Sequence, residues 1–218
     1  MTVPTIADQI AEFNTGFNGQ IGESLASVFA IEQADLIASG IPAHAVAVGD
    51  TVAEASLLDP TGSATSLHES LGASAAVVVF YRGAWCPYCN LTLKHYQSVL
   101  LPALRERGVR LVAISPQTPV GTDAAISNGS LEFTVLSDPA TALIGALGLR
   151  TEPSADARAA HTQLGFDVAD SNADATGTIP FPTVLIVDAN RVVRFVDVQV
   201  DYTTRTEVAA ILEAIDAL

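Results

Sequence analysis

The sequence of 218 residues predicts an α/β fold in which helices flank a central mixed sheet and a helical extension precedes it. Residues 75–81 (AAVVVFY) form an unbroken apolar run rich in β-branched side chains, as expected of a strand buried on both faces. Strand-like and helix-like patterns alternate after this run, which indicates parallel strands joined by right-handed crossovers. Residues 5–39 instead carry apolar side chains at near-helical spacing. We therefore expect an extension over residues 1–42 and one α/β domain over residues 43–218.

The N-terminal extension is predicted to form two short helices, because three glycines interrupt its helical pattern. A segment of this kind packs either on its own domain or on a twofold partner, so a homodimer is one of two alternatives. The domain is then expected to open with a hairpin after Gly49. The sequence DPTG at residues 59–62 marks its turn, since proline presets φ and glycine tolerates the conformation that follows.

A long helix is expected over residues 87–107, where apolar side chains recur at helical spacing and two arginines suit its negative end. Gly108 should end this helix, and Pro102 should kink or break it. Residues 150–180 lack periodicity and are expected to form a surface loop with one helical turn around 155–164. The other elements are expected as strands over 109–114 and 133–136, helices near 121–128 and over 139–147, a hairpin of 183–187 with 192–198, and a helix over 203–217.

Composition excludes several classes of function. The chain has 24 acidic and 10 basic side chains and a net charge of −14, which disfavours binding to nucleic acid or to anionic membranes. Two cysteines cannot form the disulfide framework of a small secreted domain, so they indicate a single redox or metal site. A signal peptide would have basic residues followed by a long apolar run, and the first twenty residues contain neither. We expect a cytoplasmic protein.

The stretch YRGAWCPYCN at residues 81–90 carries the chemistry, because it places both cysteines where a buried strand gives way to a helix. If Pro87 is the first helical residue, Cys86 occupies the N-cap and Cys89 lies one turn further on. The helix dipole is expected to lower the Cys86 pKa from about 8.5 toward 3.5–7.5, which predicts that Cys86 is the nucleophile. Arg82 is expected to add to that stabilisation or to hold an anionic leaving oxygen.

Other interpretations of these cysteines are weaker. An inert buried pair seldom flanks a proline at a helix start. A zinc site would need more ligands, but the sequence has no second cysteine pair and its four histidines show no ligand spacing. No metal, flavin or nucleotide cofactor is expected, and the sequence has no phosphate-binding glycine loop.

Two further residues are candidates for shaping the site. Trp85, the sole tryptophan, is expected either to pack beside the cysteines or to offer a docking surface to a partner thiol protein. Pro182 directly precedes the apolar strand TVLIVD, where a missing N–H does least harm and an X–Pro bond can be cis at modest cost. The alternative for Pro182 is an ordinary loop proline.

Five segments in order resemble one known family: GDTVAEASLLDPTG, VVVFYRGAWCPYCNLTL, LVAISPQTP, FTVLSDP and PFPTVLIVDANRVVRFVDVQVDYTTR. Over residues 45–218 the sequence resembles the peroxiredoxin-like branch of the AhpC/TSA family, within the thioredoxin superfamily. The resemblance implies a thioredoxin-like fold and reduction of hydrogen peroxide and organic hydroperoxides. It implies that Cys86 is the peroxidatic cysteine and Cys89 the resolving one, with Pro182 as the cis-proline that faces them.

The sequence departs from typical members of that family. Gly83 and Val79 stand where those members carry Thr or Ser and Pro, and the usual Arg before the strand TVLIVD is missing. Arg82 is a candidate substitute for these peroxide-activating groups. The leading hypothesis is a thiol peroxidase that is reduced by a thioredoxin-like protein or a low-molecular-weight thiol. The first alternative is a thiol–disulfide oxidoreductase acting on protein disulfides, and the second is a non-enzymatic protein that binds partners through its extension.

Overall fold

The computed structural model describes residues 3–218, and residues 1–2 of the predicted extension lie outside the described part. The strands are β1 (Ser56–Leu58), β2 (Ala64–Ser66), β3 (Ala76–Phe80), β4 (Arg110–Ser115), β5 (Thr134–Ser137), β6 (Arg150–Thr151), β7 (Ile179–Pro180), β8 (Thr183–Val187) and β9 (Val193–Val198). Seven of them form the main sheet, in the order β2-β1-β5-β4-β3-β8-β9. The central strands β3, β4 and β5 are parallel and the outer pairings are antiparallel, so the sheet is mixed as predicted.

Strand β3 lies at the centre of the sheet and is buried along its whole length. Its alternate side chains face two separate cores, because successive residues of a strand point to opposite faces. Val77 and Val79 pack on the side that carries both cysteines, whereas Val78 and Phe80 pack on the other. The prediction that this strand is buried on both faces is therefore confirmed. Its C-terminal end leads into the loop that carries the cysteines.

Helices cover both faces of the sheet. The ten α-helices are α1 (Ile6–Ile21), α2 (Glu23–Ser39), α3 (Leu67–Leu71), α4 (Pro87–His95), α5 (Leu101–Glu106), α6 (Pro119–Gly129), α7 (Ala142–Ala146), α8 (Ala155–Gln163), α9 (Val168–Ser171) and α10 (Val208–Asp216). The long helix predicted over 87–107 is divided into α4, a π-helical turn (Tyr96–Leu100) and α5. Pro102 lies in the first turn of α5, where its missing N–H does little harm. No helix within residues 3–218 is long and apolar enough to cross a membrane.

The segment 150–180 is more ordered than the sequence predicted. It holds the helices α8 and α9, and β6 pairs with β7 in a small antiparallel ladder. Packing supplies what the sequence pattern lacks, because Ala157 and Ala160 bury one face of α8. Asn172 donates from Nδ2 to the carbonyl oxygens of Thr176 and Thr178, which gives hydrogen-bond partners to a loop outside the sheet. The helical turn predicted around 155–164 is confirmed as α8, whereas β6, β7 and α9 were not predicted.

The two N-terminal helices pack on the domain of their own chain. Glu207 accepts hydrogen bonds from the backbone N–H groups of Ile6 (3.1 Å) and Ala7 (2.9 Å), so the domain caps the start of α1. Asn14 of α1 accepts a hydrogen bond of 2.8 Å from the hydroxyl of Tyr88. In α2, the buried carboxylate of Glu32 accepts a hydrogen bond of 2.8 Å from the backbone N–H of Ser154. Each helix spans about four turns, so neither is short.

Candidate active site

The cysteine pair lies where β3 gives way to α4, as predicted. Cys86 is the N-cap of α4, with φ −86° and ψ 113°, and Pro87 is the first helical residue. Three hydrogen bonds hold the loop before α4 in place. Within the loop, the N–H of Cys86 donates to the carbonyl of Gly83 at 3.1 Å. Ala84 donates from its N–H to Oε1 of Gln117 at 2.7 Å, and its carbonyl accepts from Nδ2 of Asn90 at 2.7 Å. The position of Cys86 is thus set by backbone contacts on both sides of it.

The two thiols are free, and each cysteine is only 1% exposed. Cys89 lies one helical turn after Cys86, so each thiol affects the pKa of the other. Cys86 lines a cavity of about 450 Å³ between the domain and the N-terminal helices. Cys89 lines a different and much smaller cavity, of about 10 Å³, which Arg205 and Pro182 also line. A molecule that enters the larger cavity therefore meets Cys86 first.

The surroundings of Cys89 favour its thiolate form. Burial alone would raise its pKa, but the thiol of Cys86, the guanidinium of Arg205 and the backbone N–H of Arg82 lower the Cys89 pKa to about 5. Arg205 contributes at close range, because its Nη2 donates to Sγ of Cys89 at 3.4 Å. In the reduced pair, these contacts favour the negative charge on Cys89.

Cys86 does not have the low pKa that its N-cap position predicted. Burial, the hydrogen bond that it donates to Cys89 and the charge of the Cys89 thiolate together raise the Cys86 pKa well above its usual range. Two guanidinium groups, on Arg82 and Arg205, oppose that shift. Sγ of Cys86 also accepts no hydrogen bond from the first turn of α4. The expectation fails because it counted the helix dipole and omitted desolvation and the second thiol.

Arg82 is a buried cation beside the pair, with 5% of its surface exposed. Its Cζ lies 4.2 Å from the ring centroid of Tyr202 and 5.0 Å from that of Trp85, in the range of a cation–π contact. Within residues 3–218, no carboxylate lies within 4.0 Å of it. The charge of Arg82 is therefore available to an anion in the large cavity, which it lines.

Trp85 forms part of the wall of the large cavity. Its ring lies 5.4 Å from that of Phe166 and 5.7 Å from that of His161, and His161 in turn stacks on Phe29 of α2. Burial and the nearby charge of Arg82 lower the His161 pKa to about 4, so this ring is neutral near physiological pH. Trp85 thus packs beside the cysteines, and its use by a partner protein stays a prediction.

The conformation of the loop explains why Gly83 replaces the family's Thr or Ser. A Cβ atom on Gly83 would lie 2.5 Å from Nε1 of Trp85 and 3.0 Å from the side-chain amide of Gln117. A side chain at this position would therefore displace the tryptophan. The space that a side chain at residue 83 would occupy is filled by the indole ring of Trp85.

Pro182 is buried next to Cys89 and lines the same small cavity, so the predicted proximity is confirmed. The predicted cis bond is wrong, because the Phe181–Pro182 peptide is trans. Pro182 also lines a second small cavity, in which it meets Arg82. Pro182 therefore lies near both Cys89 and Arg82, but with a trans peptide bond in place of the cis bond that the resemblance implied.

Sequence reasoning missed three residues of the site: Arg205, Tyr202 and Gln117. Arg205 is 116 residues away from Cys89 and follows the last strand, and no local spacing links it to the cysteines. Tyr202 lies beside it in the same segment and holds Arg82 through its ring. Gln117 follows β4, the parallel neighbour of β3, and the rule that such strand ends meet at one edge could have indicated it.

The AhpC/TSA family model matches residues 48–196, so the chain belongs to the AhpC/TSA family. It is an enzyme of the peroxiredoxin class, as the sequence predicted. The helices α1 and α2 precede the matched residues. No curated protein sequence matches the chain.

Solved structures of the same class resemble the chain at low identity. The peroxidoxin BcpB from Mycobacterium tuberculosis is 21% identical with a TM-score of 0.60, over 79% of this chain and 98% of that one. Reduced Prx3 from Vibrio vulnificus, in complex with H₂O₂, is 21% identical with a TM-score of 0.62, over 78% of this chain and 99% of that one. A peroxiredoxin-like protein from Aquifex aeolicus is 15% identical with a TM-score of 0.61, over 80% and 89%. These likenesses confirm the predicted thioredoxin-like fold.

Proposed function

We propose that the protein is a thiol peroxidase in which Cys86 attacks the peroxide and Cys89 resolves the product. One observation carries this assignment: Cys86 lines a cavity large enough for a substrate and lies one helical turn from Cys89, which accepts a hydrogen bond from Arg205. The pair thus combines a sulfur beside a cavity with a neighbouring base.

The first step is attack by Cys86 sulfur on the terminal oxygen of the hydroperoxide. The Cys86 thiol gives its proton to the Cys89 thiolate, and the O–O bond breaks as the S–O bond forms. Cys86 becomes a sulfenic acid and the other peroxide oxygen leaves as an alkoxide or hydroxide. Cys89 returns the proton to that oxygen, which releases an alcohol or water and restores the Cys89 thiolate. Arg82 stabilises the negative charge that develops on the leaving oxygen.

The second step forms the disulfide. The Cys89 thiolate attacks the sulfenic sulfur of Cys86, and hydroxide leaves and is protonated by solvent to give water. The positions of the two cysteines in one helical turn favour this closure without a large rearrangement. A thiol reductant, either a thioredoxin-like protein or a low-molecular-weight thiol, then returns the pair to its reduced form.

Exchange with protein disulfides is the alternative that the same pair of cysteines allows. The burial of both sulfurs counts against it, because α1 and α2 lie over the side from which Cys86 is reached. A protein disulfide would have to displace those helices before thiolate and disulfide could meet. A small peroxide needs only to enter the cavity.

Mixing the reduced protein with one equivalent of hydrogen peroxide tests this function. We expect both thiols to be lost for each peroxide consumed, about a thousandfold or more faster than a free thiol reacts, because Cys86 lies beside a base and a cation. The measurement is a count against time of the free thiols on this chain alone, by alkylation and mass, with a disulfide-bonded test protein as a second oxidant. The thiols of this chain are counted separately because exchange with a disulfide leaves the total number of thiols unchanged. Thiol loss no faster than that of a free thiol would reject the peroxidase, and rapid loss with the protein disulfide alone would favour the alternative.

A further inference from the structure

The N-terminal helices build one wall of the cavity above Cys86. From α1 the cavity is lined by Phe13 and Phe17, and from α2 by Ala26 and Phe29. The opposite wall comes from the domain and includes Trp85 and Phe166. Because α1 and α2 lie outside residues 48–196, this wall is a feature of the present chain that the family match does not include.

The cavity is far larger than hydrogen peroxide requires. Its volume is about 450 Å³, whereas a water molecule, which is close to hydrogen peroxide in size, occupies about 30 Å³ in the liquid. Sites that bind small organic molecules have volumes of about 300–1,000 Å³ and mostly apolar walls. The space next to Cys86 therefore matches an organic ligand.

The chemistry of the walls selects an uncharged apolar group. Although the chain has 24 acidic residues, none of the residues that line this cavity is Asp or Glu. His161 adds no charge near neutral pH, because its pKa is lowered to about 4. The one cation in the lining is Arg82, which lies beside Cys86 rather than among the phenylalanines. The polar end of a ligand thus belongs near Cys86 and its apolar end between the helices.

We propose that α1 and α2 form a binding site for the organic group of a bulky apolar hydroperoxide, such as an aryl or branched-alkyl hydroperoxide. This inference rests on the proposed peroxidase function and adds a substrate preference to it. The hydroperoxide oxygens lie at Cys86 and Arg82, and the organic group contacts Phe13, Phe17 and Phe29. Binding in this orientation holds the terminal oxygen against the Cys86 sulfur, which favours a large hydroperoxide over hydrogen peroxide.

Binding is tested separately from turnover with 2-phenyl-2-propanol, the unreactive alcohol that cumene hydroperoxide yields. Trp85 is the only tryptophan and lines the cavity, so its fluorescence reports occupancy. We expect saturable binding to the Cys86→Ser protein. Introducing Ala26→Phe to fill the cavity, or Phe17→Ala to remove part of its wall, should weaken that binding about tenfold or more. Ala34→Phe is the matched control, because Ala34 is exposed on the same helix and does not line the cavity.

Turnover is tested as the ratio of kcat/KM for cumene hydroperoxide to kcat/KM for hydrogen peroxide. The ratio should exceed one in the natural sequence, fall about tenfold or more with Ala26→Phe, and stay unchanged with Ala34→Phe. A protein that reduces both peroxides, with a ratio that neither Ala26→Phe nor Phe17→Ala alters, would overturn the inference and leave the peroxidase intact. Binding of the alcohol without reduction of any peroxide would instead overturn the peroxidase and, with it, the assignment of this site to a hydroperoxide.

Discussion

Replacing Cys86 with serine is expected to abolish rapid peroxide consumption, whereas replacing Cys89 with serine is expected to leave one turnover. Cys86 is the sulfur that faces the large cavity, and a serine hydroxyl is a weak nucleophile near neutral pH. We expect the rate of peroxide loss to fall about a thousandfold or more with Cys86→Ser. The Cys89→Ser protein should consume one peroxide more slowly than the natural sequence, because the base is gone, and should stop as a sulfenic acid, because the resolving thiol is gone as well.

The two single variants are controls for each other, since both remove one thiol from the same buried pair. A reagent that captures sulfenic acid should label Cys86 in the Cys89→Ser protein and should label nothing in the Cys86→Ser protein. The reverse pattern would assign the nucleophile to Cys89. The labels therefore distinguish the two cysteines as nucleophiles. Cys89 is the rival candidate because its pKa is lowered to about 5.

Replacing Arg205 with glutamine is expected to slow the peroxide reaction about fivefold to fiftyfold near pH 5 and by no more than about twofold near pH 7. Its guanidinium donates to Sγ of Cys89 at 3.4 Å and favours the thiolate, so its loss should raise the Cys89 pKa by about one to two. Less thiolate is then present in mildly acidic solution, and the base that accepts the Cys86 proton is scarcer. The rate should recover as the pH is raised through the new pKa, which a plot of rate against pH will show.

Arg194→Gln is the matched control for this effect. Arg194 also carries one positive charge, but it is exposed and pairs with Asp188 at 2.6 Å on the surface. Its loss should leave the pH profile of the reaction unchanged. If Arg205→Gln and Arg194→Gln give the same profile as the natural sequence, the stabilisation of Cys89 by Arg205 has no part in the reaction.

The parts of the fold that the sequence predicts well are those in which local pattern and burial agree. Strand β3 is apolar along its length because both of its faces are covered, and Pro87 fixes the start of α4 with Cys86 at its N-cap. The segment 150–180 could not be predicted in this way. Its helix α8 is made largely of small and polar residues, and contacts with α2 and with the rest of the domain order it.

The electrostatics of the site depend on contacts that are distant in sequence. Arg205 reaches Cys89 only because the chain returns after β9 to the start of α4. The N-cap position of Cys86 predicts a lowered pKa, but the structure buries Cys86 and places a second thiolate against it. The sequence places the pair of cysteines at the start of α4, and the fold adds the contact with Arg205 that favours the thiolate of Cys89.

Titration of the reduced protein, followed through the ultraviolet absorbance of thiolate, tests the central claim that this pair holds one negative charge near neutral pH. The apparent pKa values belong to the pair, so the Cys86→Ser, Cys89→Ser protein serves as the blank. We predict that one thiolate forms with an apparent pKa of about 5 and that the second forms only in alkaline solution. Absence of any thiolate until the pH approaches the usual thiol pKa of about 8.5 would contradict the account.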